Sequence, residues 1–257
     1  AGHMQPLSYA RGLAAAAIQE GAKVFTNTAV DRLERSGTTW RLTTSRGTVS
    51  ADAVVIATGA YGKALWPRLK QTYAPFALGC AASAPLSDDI RKSVLPQGNH
   101  LVDTRRDTFA LMIDAGGRLV TAFNGAGWRG MSQRSMQDLV ERRYGWAWPQ
   151  LAGARWEYFW SGAIDLRADL FPRLFELAPG LVTAIGFSGR GIPTGTAMGT
   201  VLADFLSGTA KDELAAPIEA PSYVPPMMRL VARMMVPRFR RQDAQAMRND
   251  GLVPPRF

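Results

Sequence analysis

The sequence predicts an α/β fold of mixed α+β character, and three stretches carry that prediction. Ala53-Val54-Val55-Ile56-Ala57 is apolar without alternation, as in a strand covered on both faces, and it runs into the small-residue turn Thr58-Gly59-Ala60-Tyr61-Gly62. Leu181-Val182-Thr183-Ala184-Ile185 is a second such run, followed by Gly186-Phe187-Ser188-Gly189-Arg190-Gly191 and then by a helical pattern. Between the two lies a β-rich middle. The expected architecture is therefore one layered part with a central buried strand, and one β-rich part with a mixed or antiparallel sheet.

Residues 6–21 read as a helix, with Pro6 in the first turn, Leu7, Leu13, Ala14, Ala17 and Ile18 on an apolar face, and Gly21 ending it. Lys23-Val24-Phe25 reads as a short strand. Residues 31–34, 40–44 and 48–51 form a small antiparallel meander that turns at Ser36-Gly37 and Ser45-Arg46-Gly47. The apolar run at 53–57 is expected to be central in its sheet. Further strands are expected at 76–84, 109–113, 119–123 and 155–160, with a helix at 132–144 and a loop with a short helix at 87–108. The last layered element is a helix at 194–206 that stops at Ser207-Gly208. Pro217, Pro221, Pro225 and Pro226 then make an extended connector.

At 257 residues, with 47% hydrophobic and 20% charged content, the chain can bury a sizeable core. No apolar run approaches the roughly 20 residues that span a bilayer. The single Cys80 allows no internal disulfide and fits a reducing compartment. Ala1-Gly2-His3-Met4-Gln5-Pro6 lacks the basic-then-apolar pattern of a signal peptide, so the expected location is the cytoplasm. The net charge of +9 is concentrated at one end: residues 224–257 hold seven arginines against Asp243 and Asp250, a balance of +5. Met227, Met228, Leu230, Val231, Met234 and Met235 recur there at helical spacing. Such a basic amphipathic segment, residues 224–241, either packs its methionines on its own protein or a subunit partner, or lies on an anionic membrane surface. No nucleic-acid motif accompanies the charge, and no nucleic acid is expected.

The glycines at 186, 189 and 191 open backbone conformations closed to other residues and let main-chain N–H groups approach a ligand. The amides that start a helix have no internal partners, and the helix dipole adds partial positive charge, which suits an anionic or electron-rich ring edge. The alternative is a tight strand-to-helix connection with no ligand. Gly125-Ala126-Gly127-Trp128-Arg129-Gly130 matches G-x-G-x-x-G, but Trp128 and Arg129 crowd the turn and Glu157 falls inside its strand, so a glycine loop beside a site entrance is the better reading. Two histidines, His3 and His100, and one cysteine assemble no ordinary metal cluster. Ser188 lacks the glycine placement of a G-x-S-x-G elbow, and Asp165 and Asp169 suit capping or solvated roles. Chemistry in such a chain falls to a bound cofactor.

Several of these pieces occur in a recognisable order: Gly2-His3-Met4-Gln5-Pro6-Leu7-Ser8-Tyr9 before the alanine-rich helix, Gly21-Ala22-Lys23-Val24 leading to Thr28-Ala29-Val30, the run from Ala53 to Tyr61, Gly117-Arg118-Leu119, Trp160-Ser161-Gly162, and the 186–191 turn with its helix. In this the chain resembles the carboxyl-terminal two thirds of the D-amino-acid-oxidase-like FAD-dependent oxidoreductases, the group of glycine and sarcosine oxidases and gamma-glutamylputrescine oxidoreductase. The resemblance covers roughly residues 2–208. It implies a two-domain flavoprotein that removes a hydride from a C–N bond of a small amine or amino acid, giving an imine that hydrolyses. Residues 1–63 and 176–208 would build a discontinuous FAD-binding domain, residues 64–175 a substrate-binding domain, and residues 209–257 the connector and tail.

By the same resemblance Val30 meets the adenine end of FAD, Thr58 and Gly59 lie near the dinucleotide, and Gly186, Phe187, Ser188, Gly189, Arg190, Gly191 and Ile192 cradle the pyrimidine edge of the isoalloxazine. Trp160 and Gly162 border the flavin and substrate cavity. Two departures matter. The family's amino-terminal strand-glycine-helix unit for the FAD diphosphate is absent, so the sequence looks like a fragment, a split chain or a truncated product whose FAD site a separate amino-terminal segment completes. The family often places a carboxylate-gripping arginine where Phe109-Ala110-Leu111-Met112-Ile113-Asp114 offers none, which leaves Arg190 and Arg167 as substitutes. Gly162 lies near the position where covalently flavinylated relatives carry cysteine, and Cys80 is elsewhere, so the FAD is expected to be noncovalent. The competing class is a noncatalytic remnant or interaction subunit with the same fold.

Overall fold

In the computed structural model, which describes residues 4–62, 65–125 and 131–255 without the side chains of 229, 232 and 233, the first element is helix α1 (Pro6–Gln19). The Gln5 side chain caps it by accepting from the N–H groups of Leu7 and Ser8, and Gly21 at φ +95° follows its end. No residue of α1 is buried. Lys23-Val24-Phe25 does not form the expected strand: Val24 and Phe25 are exposed, and among the described residues no strand offers them a partner. Isolated extended backbone has no ladder to hold it. Strands β1 (Val30–Ser36), β2 (Thr39–Thr44) and β3 (Gly47–Ala51) then form the expected meander, with two-residue turns at Gly37-Thr38 and Ser45-Arg46. Strand β4 (Val54–Ile56) follows.

The middle of the chain is β5 (Ala74–Pro85), α2 (Asp88–Val94), β6 (Leu101–Val102), β7 (Phe109–Ile113), β8 (Arg118–Asn124), α3 (Gln133–Ala147) and β9 (Trp156–Leu166). Ser87 and Ser132 cap the two helices. The strands make one sheet in the order β6-β7-β8-β5-β9. Helix α3 buries Met136, Leu139, Val140 and Tyr144, one face at helical spacing, in a core with Phe109, Leu111, Leu119 and Phe123. Of the glycine motif at 125–130, only Gly125 is described, and it pairs with the Ala77 carbonyl. Residues 126–130 lie outside the described residues, as does His3.

Strands β10 (Arg173–Ala178) and β11 (Leu181–Ile185) form an antiparallel hairpin, followed by α4 (Gly191–Leu206), β12 (Ile218–Glu219) and α5 (Met227–Asn249). The second sheet runs β12-β10-β11-β4, with β11 and β4 parallel. All five residues of β11 are buried. Val182 and Ala184 pack with Val201 and Leu202 of α4, while Leu181 joins Trp40, Leu33, Val54 and Ile56. The mixed α/β class is thus the observed one. The central strand, however, is β11 rather than β4. Strand β4 lies at the edge of its sheet among the described residues, with Val55 39% exposed, because no strand covers its second side.

The chain divides into two compact units, Met4–Ala74 with Ile164–Pro226, and Pro75–Ala163 with the segment from Met227 onward. Within the latter, the basic tail is docked through charge. Buried Asp107 accepts from Arg143, from Arg240 Nε at 2.9 Å and from Asn124 at 3.2 Å, while Asp243 accepts the N–H groups of Arg106 and Asp107 at 3.1 and 2.8 Å. Removing the carboxylate would strand a guanidinium that is only 2% exposed. Asp107→Ala should therefore cost about 3–5 kcal/mol in urea unfolding, whereas Arg155→Ala, at an exposed pair, should stay within about 0.5 kcal/mol. Similar small losses for both would refute the buried-latch account.

Candidate cofactor-binding site

Parallel pairing of β4 with β11 decides where the site can be. The register sets Leu181 against Val54, Val182 against Val55 and Thr183 against Ile56, and the Thr183 hydroxyl donates to the Ile56 carbonyl at 2.6 Å. Both strands therefore end at the same sheet edge. Thr58 and Gly59 follow β4 there, Gly59 at φ +50°, and the 186–192 turn follows β11. In open α/β sheets this carboxyl edge is where ligands bind.

The turn is built from behind. Gly186 at φ +83° has no room for a Cβ, which would sit 2.4 Å from Arg167 Cδ. Its N–H donates to Asp165 Oδ2 at 2.7 Å, and the Ser188 N–H donates to the Asp165 carbonyl at 3.2 Å. The Ser188 hydroxyl donates to the Gly186 carbonyl at 3.1 Å and accepts the Arg167 N–H at 3.2 Å, so Ser188 locks the turn at a left-handed φ of +51°. Arg190 N–H closes on the Phe187 carbonyl at 2.9 Å. With the Phe187 N–H also directed to the Asp165 carboxyl, four of the turn's amides are thus already used inside the protein. Those left over are Gly189, Gly191 and Ile192, whose N–H groups have no partner among the described residues. The first helical bond comes only at Thr194, to the Arg190 carbonyl at 3.4 Å, and Pro193 has no N–H to offer. Gly189 and Gly191 are exposed.

The structure disperses the other residues named from sequence. Val30 and Thr58 line one cavity of about 390 Å³, together with Thr28, Leu42, Ile56 and Tyr61. Phe187 lines a second cleft of about 480 Å³ with Val55, Ala57, Ala184, Gly195 and Gly199, so the open edge of β4 borders both. Trp160, 45% exposed, and half-buried Gly162 belong to β9 in the other compact unit. Arg190 is exposed at the start of α4. Arg167, the other candidate for a substrate carboxylate, is instead buried and spends its guanidinium on the Thr72 carbonyl at 2.6 Å and the Ser222 hydroxyl at 3.0 Å. Asp169 caps Phe171 N–H and pairs with Arg173. Among the described residues no group of three or more His, Cys, Asp or Glu is arranged to hold a metal. The sequence concealed Asp165 as the support of the turn, because an acceptor 21 residues before its donor leaves no spacing signal.

Burial pushes the Asp165 carboxyl above its ordinary range, against the opposing effect of the Gly186 and Phe187 N–H groups. A raised native pKa means that the folded state holds this proton more tightly than the unfolded state. Its contribution to stability is complete below the ordinary carboxylate pKa and declines as pH rises through the raised value. Asp165→Asn, which keeps an acceptor for Gly186, should flatten the acid-range decline in urea midpoint. An unchanged pH profile would contradict this assignment.

Residues 1–205 match the family model described as FAD dependent oxidoreductase. A probable oxidoreductase OrdL of Haemophilus influenzae is 26% identical over 80% of the chain and 48% of its own length, and the gamma-glutamylputrescine oxidoreductase of Escherichia coli is 27% identical over 82% and 49%. The chain spans about half the length of these curated relatives. Among solved structures, glycine oxidase from Geobacillus kaustophilus superposes with a TM-score of 0.66 at 24% identity, over 84% of this chain and 58% of that one. L-proline dehydrogenase from P. horikoshii superposes with 0.68 at 18% identity, over 84% and 59%, and both likenesses bear on the fold. With its parallel strand pair, its glycine turn and a family match over most of its length, the chain belongs to the FAD-dependent oxidoreductases.

Proposed function

We propose that this chain supplies the ring-binding side of an FAD site at which the C–N bond of a small amine or amino acid is oxidised by hydride transfer to flavin. The observation that carries the reading is the set of open N–H groups of Gly189, Gly191 and Ile192 at the start of a 16-residue helix. Donors and a positive dipole end there suit a ring edge that gains negative charge on reduction. The residues present fit such a group: a Cβ placed on Gly191 or Gly195 meets nothing within 4 Å, so a flat surface can approach the backbone. The cavity beside Val30 and Thr58, about 390 Å³, lies within the ~300–1,000 Å³ of ordinary ligand pockets and suits the adenine end. Bound flavin supplies the hydride acceptor. The protein's own part is to hold the ring edge on the three amides, to fix those amides through Asp165 and Ser188, and to present Arg190 to an anionic group.

The character of the one thiol supports noncovalent attachment. Cys80 is half-buried in β5, and burial pushes its pKa up to about 11, so it is a poor thiolate at neutral pH. The open edge of β4, with exposed Val55 and apolar clefts on either side, supports completion of the site by a further strand-bearing segment, within a longer polypeptide or from a separate chain. The names of the relatives, a gamma-glutamylputrescine oxidoreductase and a glycine oxidase, support an amine or amino-acid substrate. With Arg167 committed to structure and Ala110 and Met112 on the alternate face of β7, a substrate carboxylate has Arg190 as its candidate partner.

FAD titrated into the purified chain should bind with the visible absorption of protein-held oxidised flavin, and a candidate amine added without oxygen should bleach it. Gly191→Val, where no positive φ is required and no neighbour is met, should leave the fold within about 0.5 kcal/mol yet weaken FAD binding about tenfold or more. A protein that stays colourless with FAD would favour the noncatalytic reading or show that the further segment is required, and unchanged affinity in Gly191→Val would remove the turn from the site.

A further inference from the structure

We infer that the first half of α5 is a docking surface for an anionic phospholipid bilayer. Met227, Leu230, Val231 and Met234 are 71, 55, 47 and 63% exposed. Their spacing of three and four residues sets them in one stripe along the helix. Arg238 and Arg241, both exposed, continue that stripe over the next turns. The opposite side of the helix is occupied. Val236 and Met247 are buried, and Arg240 and Asp243 are held by the Asp107 loop. Each of these tethers lies at or beyond Val236. Among the described residues the helix is held through its second half, and the apolar stripe of its first half is exposed. Pro237 marks the boundary, since it has no N–H for the Arg233 carbonyl.

Charge selects the occupant. Residues 227–241 contain Arg229, Arg233, Arg238, Arg240 and Arg241 and no acidic residue. A second copy seated on the stripe would bring arginines against arginines with no carboxylate in either segment. A bilayer with anionic headgroups offers phosphates to the arginines and an apolar layer to the methionines, in the geometry of a helix lying in the interface plane. No helix among the described residues is long and apolar enough to cross a membrane, so the contact is peripheral. This surface needs no flavin, and vesicle binding and flavin binding therefore succeed or fail separately.

Flotation of the full chain with vesicles of phosphatidylcholine, alone or containing a quarter phosphatidylglycerol, tests the inference. Binding is expected to the anionic vesicles only, with release in high salt. Arg238→Gln and Arg241→Gln should each weaken it about fivefold. Leu230→Glu combined with Met234→Glu should abolish it while circular dichroism and the thermal midpoint stay unchanged. Failure to float with anionic vesicles, or flotation retained by the Leu230→Glu, Met234→Glu protein, would overturn it. So would a dimer in light scattering that this pair of substitutions dissolves while vesicles remain unbound, which would assign the stripe to a second copy.

Discussion

The hydrogen bond from Gly186 N–H to the buried Asp165 carboxylate is the constraint on which the site depends. It fixes the first residue of the turn in a conformation that only glycine reaches without strain, beneath the Arg167 side chain. With the Ser188 amide on the Asp165 carbonyl and the Ser188 hydroxyl on the Gly186 carbonyl, the first half of the turn is fully bonded. That division of labour separates support from function. Amides satisfied internally hold the turn still, and the amides of Gly189, Gly191 and Ile192 remain directed to whatever binds the helix start. Such preorganisation is what gives oriented donors their value toward developing charge.

Parallel pairing gives the turn its company. Because β4 and β11 run the same way, Thr58-Gly59 and the 186–192 turn emerge at one edge. An antiparallel neighbour would have sent one of them to the far side. Arg167, just after β9, binds the Thr72 carbonyl and Ser222, tying the segment before β5 to the proline-rich connector. The same side chain that sequence reasoning offered to a substrate is therefore a strut.

Much of this was legible in the sequence where local chemistry decides the outcome. The glycine-bearing turns of the meander, the helix that begins near Ser132, and the unalternating run of β11 each carry their own instruction. What was hidden depends on partners far along the chain. Arg173-Leu174-Phe175-Glu176-Leu177-Ala178 has as much helical as extended character, and pairing with β11 makes it a strand. Strand β9 continues through Ser161-Gly162-Ala163 to Leu166, small residues that give no strand signal. The opposite holds at Lys23-Val24-Phe25, where composition suggests a short strand, and at β4, where it suggests a central one, yet neighbours are wanting on one side or both among the described residues. The sequence shows one amphipathic segment in the tail, whereas the structure has an exposed stripe before Pro237 and docked residues beyond it.

The central claim is that one short turn holds both internally bonded and open amides, and that flavin takes the open ones. Residue-resolved amide hydrogen exchange, with and without saturating FAD, measures this directly. The account predicts that Gly186 and Ser188 are protected before FAD is added and little changed by it, while Gly189, Gly191 and Ile192 exchange freely until FAD arrives and then slow by an order of magnitude or more. Rapid exchange at those three amides in the presence of saturating FAD would contradict it.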